Sequence, residues 1–144
     1  MKGMTEIVRT ISRLLAGLIF FYGIYIVLFG HLTPGGGFAG GVIISGAFIL
    51  LIIANGIDEK KITGVKEKAG FLESLGIFLF WVIAIIGLCT GTFFFFNFLG
   101  KGRALNMFSA GTIPICNICV AIEVSAALCS IVIAFILVKK GEKK

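Results

Sequence analysis

The chain has 144 residues, of which 58% are hydrophobic and 14% charged, with a mean hydropathy of +1.10 and a net charge of +6. A water-soluble domain of this length does not tolerate so apolar a composition, which excludes a soluble enzyme or a soluble binding module. The basic residues lie at the ends of apolar segments and not on an aromatic-interleaved surface, so the positive charge does not indicate nucleic-acid binding.

Four apolar segments follow one another along the chain and predict an all-α integral membrane protein with four transmembrane helices. Each segment is long enough to cross roughly 30 Å of hydrocarbon at about 1.5 Å per residue. No stretch between them could bury a core of its own, so residues 1–144 are expected to form a single transmembrane domain. The predicted spans run from about Ser12 to Phe29, Phe38 to Ile57, Leu75 to Phe96 and Pro114 to Val138.

The connection between the first two spans is short and rich in glycine, since it runs only from His31 to Gly37. Its proline removes a backbone donor and fixes one dihedral angle, while the glycines that follow allow positive φ, so this stretch predicts a tight helical hairpin. Small residues spaced four apart then predict close packing against a neighbouring helix in lipid. The turn and this packing are assigned to Pro34, Gly35, Gly36, Gly37, Gly40 and Gly41.

The distribution of basic residues predicts the topology. With four crossings, both termini and the expected loop from Asp58 to Ser74 share one side, and that side carries most of the lysine and arginine. Cytoplasmic loops are enriched in these residues, so both termini are expected in the cytoplasm of a cell-membrane protein. Lys101 and Arg103 lie opposite Lys2, Arg9, Arg13, Lys60, Lys61, Lys66, Lys68, Lys139, Lys140, Lys143 and Lys144.

Among the acidic residues, only Glu123 is expected deep within an apolar span. An ionised side chain near the bilayer centre costs about 2.5 to 3.5 kcal/mol, so a carboxylate there needs a partner, water or a role in function. Small residues at helical spacing around Glu123 predict that it faces protein and not lipid. The other six are expected in termini, in loops or at a span boundary: Glu6, Asp58, Glu59, Glu67, Glu73 and Glu142.

The remaining polar residues suggest no catalytic centre. Asn117 lies near the start of the fourth span, where it is expected to hydrogen-bond across helices or to cap backbone. His31, beside the hairpin, is a structural residue or a second candidate for proton handling. Four cysteines lie in apolar segments and are interpreted as small packing residues, and no set of residues predicts a metal site, a cofactor or nucleophilic catalysis.

Three stretches together resemble a known family: GHLTPGGGFAGGVIISGAFIL from Gly30 to Leu50, GTFFFFNFLGKG from Gly91 to Gly102, and FSAGTIPICNICVAIEVSAAL from Phe108 to Leu128. They resemble the B subunit of multisubunit sodium/proton antiporters of the Mrp or Mnh type. The related subunit of archaeal energy-converting membrane-bound hydrogenases and sulfur-reducing complexes is also similar. The resemblance extends from about Tyr22 to Ile131, and the HLTPGGGFxGG string is its specific part.

The resemblance implies a small, cofactor-free and non-catalytic subunit that is buried among other membrane subunits. The whole assembly would exchange Na⁺ and H⁺ across the bilayer. Two interpretations stay open. In the first, the chain lines part of the ion path, with Glu123 as the main candidate and His31 as the weaker one. In the second, it is a structural subunit that packs helices, in an antiporter or in a redox-driven complex such as a hydrogenase or sulfur reductase.

Overall fold

The computed structural model describes residues 4–56, 59–91, 93–100, 102 and 110–141. These residues form four α-helices and contain no strand: α1 (Glu6–Phe29), α2 (Gly36–Asn55), α3 (Glu59–Thr90) and α4 (Ile113–Gly141). Each helix contains a stretch long and apolar enough to cross a membrane. The predicted all-α fold, with four such helices and a short glycine-rich turn between the first two, is confirmed.

The third helix departs most from the predicted spans. It begins at Glu59 and not near Leu75, so the prediction of a loop from Asp58 to Ser74 is wrong for the described residues from Glu59 onward. Buried Ile62 and Ala69 explain the extension, because they continue the face of α3 on which Gly76 lies. Lysine and glutamate are good helix formers, and they hide this apolar stripe when hydropathy is averaged over a window.

The third helix also ends earlier than predicted, at Thr90, so the phenylalanine run at 93–96 lies outside it. After the helix the chain folds back over its own last turns. A Cβ placed at Gly87 would lie 2.7 Å from the backbone nitrogen of Phe96, and the Phe96 ring lies against Gly91. The two glycines therefore admit Phe96, and Phe95 takes a φ of 61° in this reversal.

The fourth helix occupies the centre of the arrangement. It packs against α3 on one side and α2 on the other, while α1 packs mainly against α2. Within the described ranges, α3 contacts neither α1 nor α2. The helices therefore follow one another in the spatial order α1, α2, α4, α3, and a gap separates α2 from α3.

Glycine allows close approach of α1 and α2. A Cβ at Gly23 would lie 2.7 Å from Cγ1 of Ile44 and 3.3 Å from the carbonyl oxygen of Gly40. A Cβ at Gly40 would in turn meet Val27 and lie 3.1 Å from the carbonyl oxygen of Gly23. Small residues facing each other in this way let two backbones pack closely without relying on burial from water.

The contact between α2 and α4 uses the next face of α2. A Cβ at Gly41 would lie 2.9 Å from the carbonyl oxygen of Ala121. Further along, Ser45 is buried, its hydroxyl donates to the Val42 carbonyl at 2.7 Å, and its own carbonyl lies 4.0 Å from the Cys129 sulfur. Two adjacent glycines near the start of α2 thus contact two different helices: Gly40 packs against α1 and Gly41 packs against α4.

Some residues counted for the topology lie outside the described residues. These are Lys2, Lys101, Arg103, Lys143 and Lys144.

Candidate functional site

The hairpin between α1 and α2 is closed by local hydrogen bonds. The amides of Leu32 and Thr33 both donate to the Phe29 carbonyl, at 2.8 and 2.9 Å, and the Thr33 hydroxyl donates to the same oxygen at 3.0 Å. Gly35 and Gly36 then take φ values of 130° and 65°, which residues with a side chain rarely adopt. The chain reverses and α2 begins at once.

Asn117 of α4 is the side chain that fits against this hairpin. A Cβ at Gly37 would lie 2.8 Å from the Cα of Asn117, and one at Gly30 would lie 2.9 Å from its Nδ2. A Cβ at Gly36 would lie 3.5 Å from its Oδ1. Nδ2 is buried and donates no hydrogen bond within the described part of the chain. The asparagine therefore packs closely against the glycines of the hairpin, and the hydrogen bond predicted for it, across helices or to backbone, stays a prediction.

Glu123 lies one helix face away from Asn117 and contacts α3. A Cβ at Gly76 of α3 would lie 2.9 Å from both Cβ and the backbone nitrogen of Glu123, and 3.0 Å from the carbonyl oxygen of Cys119. Glu123 is half-buried, and no described residue pairs with its carboxylate. The structure thus places the predicted carboxylate against a neighbouring helix, where Gly76 lets the α3 backbone come close.

A second carboxylate, Glu73, lies on the same contact between α3 and α4, and the sequence analysis missed it. It is half-buried, one turn before Gly76, and it lies within Ile62–Thr90, the part of α3 that could cross a membrane by length and composition. The third span was predicted to start near Leu75, which put Glu73 at a span boundary and left it out of the candidate site residues. The buried positions Ile62 and Ala69, continued by Gly76, were the signal that the helix extends past it.

The two carboxylates lie on the same edge of the contact between the helices. Residues follow one another around a helix axis at about 100° each. Around the axis of α3, Glu73 therefore lies on one side of Ala69 and Leu72 lies on the other. Around the axis of α4, Glu123 likewise lies on one side of Ala126 and Ile122 lies on the other. Leu72 and Ile122 line the gap between α2 and α3. Glu73 and Glu123 therefore face the other way, toward the outer edge of the subunit. We refer to these two residues as the carboxylate edge.

The second predicted candidate, His31, is not brought to the carboxylate edge. It is half-buried in the hairpin turn, next to Gly30, which contacts Asn117. Glu123 lies six residues after Asn117 in α4, which corresponds to a rise of about 9 Å and a rotation of about 240° around the helix axis. The two candidates therefore occupy different levels and different faces of the molecule.

The loop before α4 is held by Asn97. Its Nδ2 donates to the Ala110 carbonyl at 3.2 Å, and its Oδ1 accepts from the Thr112 amide at 3.1 Å. Gly111 lies directly against this side chain with a φ of 65°. Asn97 thereby ties the segment after α3 to the start of α4.

The cysteines differ in exposure, and two of the four are buried between helices or side chains as packing residues. Cys119 and Cys129 are buried, Cys116 is half-buried, Cys89 is exposed, and all four are free thiols. Across the described ranges, no three histidine, cysteine, aspartate or glutamate residues come close enough to hold a metal ion.

The fold and these contacts define a class of protein: a four-helix membrane component that packs through small residues and has carboxylates on one edge. Residues 7–130 match the domain related to the MnhB subunit of Na⁺/H⁺ antiporters. The chain therefore belongs to this family and is a multi-pass membrane protein, which confirms the family resemblance of the sequence.

Individual relatives agree with the family assignment. An uncharacterized protein of Methanocaldococcus jannaschii is 36% identical over 132 residues, which cover 86% of this chain and 49% of that protein. A Staphylococcus aureus protein named as the antiporter subunit mnhB2 is 38% identical over 87 residues, which cover 60% of this chain and 53% of that protein. The chain thus spans about half the length of the relatives it matches.

A solved structure has the same fold. It is a chain in the membrane-bound sulfane sulfur reductase, an archaeal respiratory membrane complex, with a TM-score of 0.66 and 33% sequence identity. The match covers 89% of this chain and 56% of that chain.

Proposed function

We propose that this chain is a small, non-catalytic membrane subunit of a multisubunit Na⁺/H⁺ antiporter module, and that its carboxylate edge borders the ion path. The family match over residues 7–130 supports the antiporter context. The observation that carries the residue-level proposal is the position of Glu123, half-buried within an apolar helix and unpaired among the described residues.

The geometry indicates where such a path would run. Glu73 and Glu123 lie on the outer edge of the α3–α4 contact, so their partners would come from a neighbouring membrane subunit. A carboxylate left facing hydrocarbon costs about 2.5 to 3.5 kcal/mol, which favours an edge covered by protein groups or by water. The path would then lie between subunits, with this chain as one wall.

In this proposal, both termini lie in the cytoplasm and the glycine hairpin lies on the outer side of the cell membrane. The excess of lysine and arginine on the side of the termini supports that orientation. His31, in the hairpin, would then lie at the outer end of the subunit, where it is the weaker candidate for proton handling.

The test is Na⁺/H⁺ exchange in membrane vesicles that hold the whole complex, with native chain or with Glu123→Gln. We expect the substitution to slow exchange by at least about tenfold, which corresponds to about 1.4 kcal/mol in the barrier. The matched control is Glu67→Gln, because Glu67 is an exposed carboxylate of α3 that lies away from the carboxylate edge. Unchanged exchange in a fully assembled Glu123→Gln complex would leave the chain a structural subunit.

A second candidate is the equivalent subunit of a redox-driven respiratory complex, in which the chain acts mainly in helix packing. The structural match to a chain of the sulfane sulfur reductase complex favours it. Purification of the native complex and identification of its other subunits separates the two, because redox subunits would be present only in the second case.

A further inference from the structure

The gap between α2 and α3 forms a groove of about 510 Å³ over one face of α4. It exists because α4 contacts both helices while, in the described ranges, they do not contact each other. Apolar side chains from all three helices form its walls, among them Leu51, Leu72 and Ile122. We call this space the α2–α3 groove.

Polar side chains line the groove at three positions, and one of them is Ser125, whose hydroxyl donates to the Ile122 carbonyl at 3.1 Å. Asn55, the last residue of α2, and Lys68 of α3 both line it. A guanidinium nitrogen of Arg13, from α1, donates to Oδ1 of Asn55 at 3.4 Å. One cationic side chain, Lys68, thus lines a largely apolar groove, and a second, Arg13, contacts the amide of Asn55, which also lines it.

The seven-residue separation of Ile122 and Cys129, both in the wall of the groove, corresponds to a length of about 10 Å. The apolar wall of the groove on α4 is therefore about two helical turns long.

We propose that the α2–α3 groove binds an acyl chain of an anionic phospholipid, with the phosphate held between Lys68 and Arg13. A largely apolar groove with cationic side chains beside it complements a molecule that has a hydrocarbon tail and an anionic head. Basic pockets between transmembrane helices on the cytoplasmic side bind anionic head groups in this way. The site lies on the face opposite the carboxylate edge, so it is independent of the proposed function.

The experiment titrates the purified complex in detergent with phosphatidylglycerol or phosphatidylcholine and counts bound lipid by native mass spectrometry. We expect phosphatidylglycerol to bind in preference, and Lys68→Gln to weaken its binding about fivefold, the effect of one cation beside an anionic head group. Lys68→Arg should retain binding. Lys66→Gln is the matched control. This substitution removes the same charge from the same helix, but Lys66 does not line the groove.

A second measurement tests the apolar part of the site. Leu72→Trp should fill the groove and lower the binding of both lipids, in a complex that still assembles by size-exclusion chromatography. The proposal is overturned if the two lipids bind equally, or if Lys68→Gln and Lys66→Gln behave alike. It is also overturned if a photo-crosslinker at residue 72 captures a neighbouring subunit in place of lipid.

Discussion

At the residue scale, Glu73 and Glu123 are distinguished from the other carboxylates by their surroundings. Both are half-buried on the same edge of the α3–α4 contact, whereas Glu67 is exposed. A carboxylate held inside an apolar span needs a compensating role or partner. Because the two lie about one helical turn apart in level, we expect them to act on the same ion and not on separate ones.

This gives a prediction for Glu73. Glu73→Gln should slow Na⁺/H⁺ exchange in the assembled complex by about tenfold, or about 1.4 kcal/mol, as Glu123→Gln should. Groups that act on one step show non-additive effects, so the double substitution should be little slower than either single one. Exchange rates of the two single variants and the double variant test this in vesicles. Fully additive losses would instead assign the residues to separate steps.

At the scale of single elements, two glycines of α2 allow the effect of helix propensity on stability to be measured apart from the effect of packing. Gly37 and Gly46 both lie within α2, but only Gly37 is enclosed. A Cβ at Gly37 would lie 2.8 and 2.9 Å from backbone atoms of Asn117, which cannot swing away as a flexible side chain could. Nothing lies within 4 Å of a Cβ at Gly46.

Alanine at these two positions should therefore act in opposite directions. Gly37→Ala should lower the free energy of unfolding by about 1 to 3 kcal/mol, because it forces α2 away from α4. Gly46→Ala should leave it unchanged or raise it by up to about 1 kcal/mol through helix propensity. Thermal unfolding of the detergent-solubilised complex measures both. A Gly37→Ala complex as stable as the native one would show that the hairpin and α4 do not need this close contact.

The same elements mark what the sequence could predict. The hairpin was predictable because its proline and glycines act locally, through backbone conformations that few other residues adopt. The start of α3 was not, because its first turns carry lysine and glutamate on exposed faces and an apolar stripe that becomes visible only against α4. Glu73 was lost with that boundary. Asn117 was placed correctly at the start of α4, but its fit against Gly30 and Gly37 depends on tertiary packing.

At the scale of the whole molecule, the outer surfaces of the bundle remain apolar. One face of α1 exposes Leu14, Leu18 and Phe21 by 68%, 69% and 72%, at the i, i+4 and i+7 spacing of a single helix face. In water such a surface would mark an aggregating protein, but in a bilayer it is the expected contact with lipid or with another subunit. The subunit therefore turns small residues inward and large apolar residues outward.

The orientation of this bundle in the membrane is the last prediction. Met4 and Leu32 are exposed positions near opposite ends of α1. Because basic residues gather on the side of the termini, a thiol-specific, membrane-impermeant reagent should label Leu32→Cys in intact cells and Met4→Cys only after permeabilisation. The exposed native thiol is removed first by Cys89→Ala, and this background without a new cysteine is the control. The reverse labelling pattern would invert the topology and place Lys68 and Arg13, beside the α2–α3 groove, in the outer leaflet.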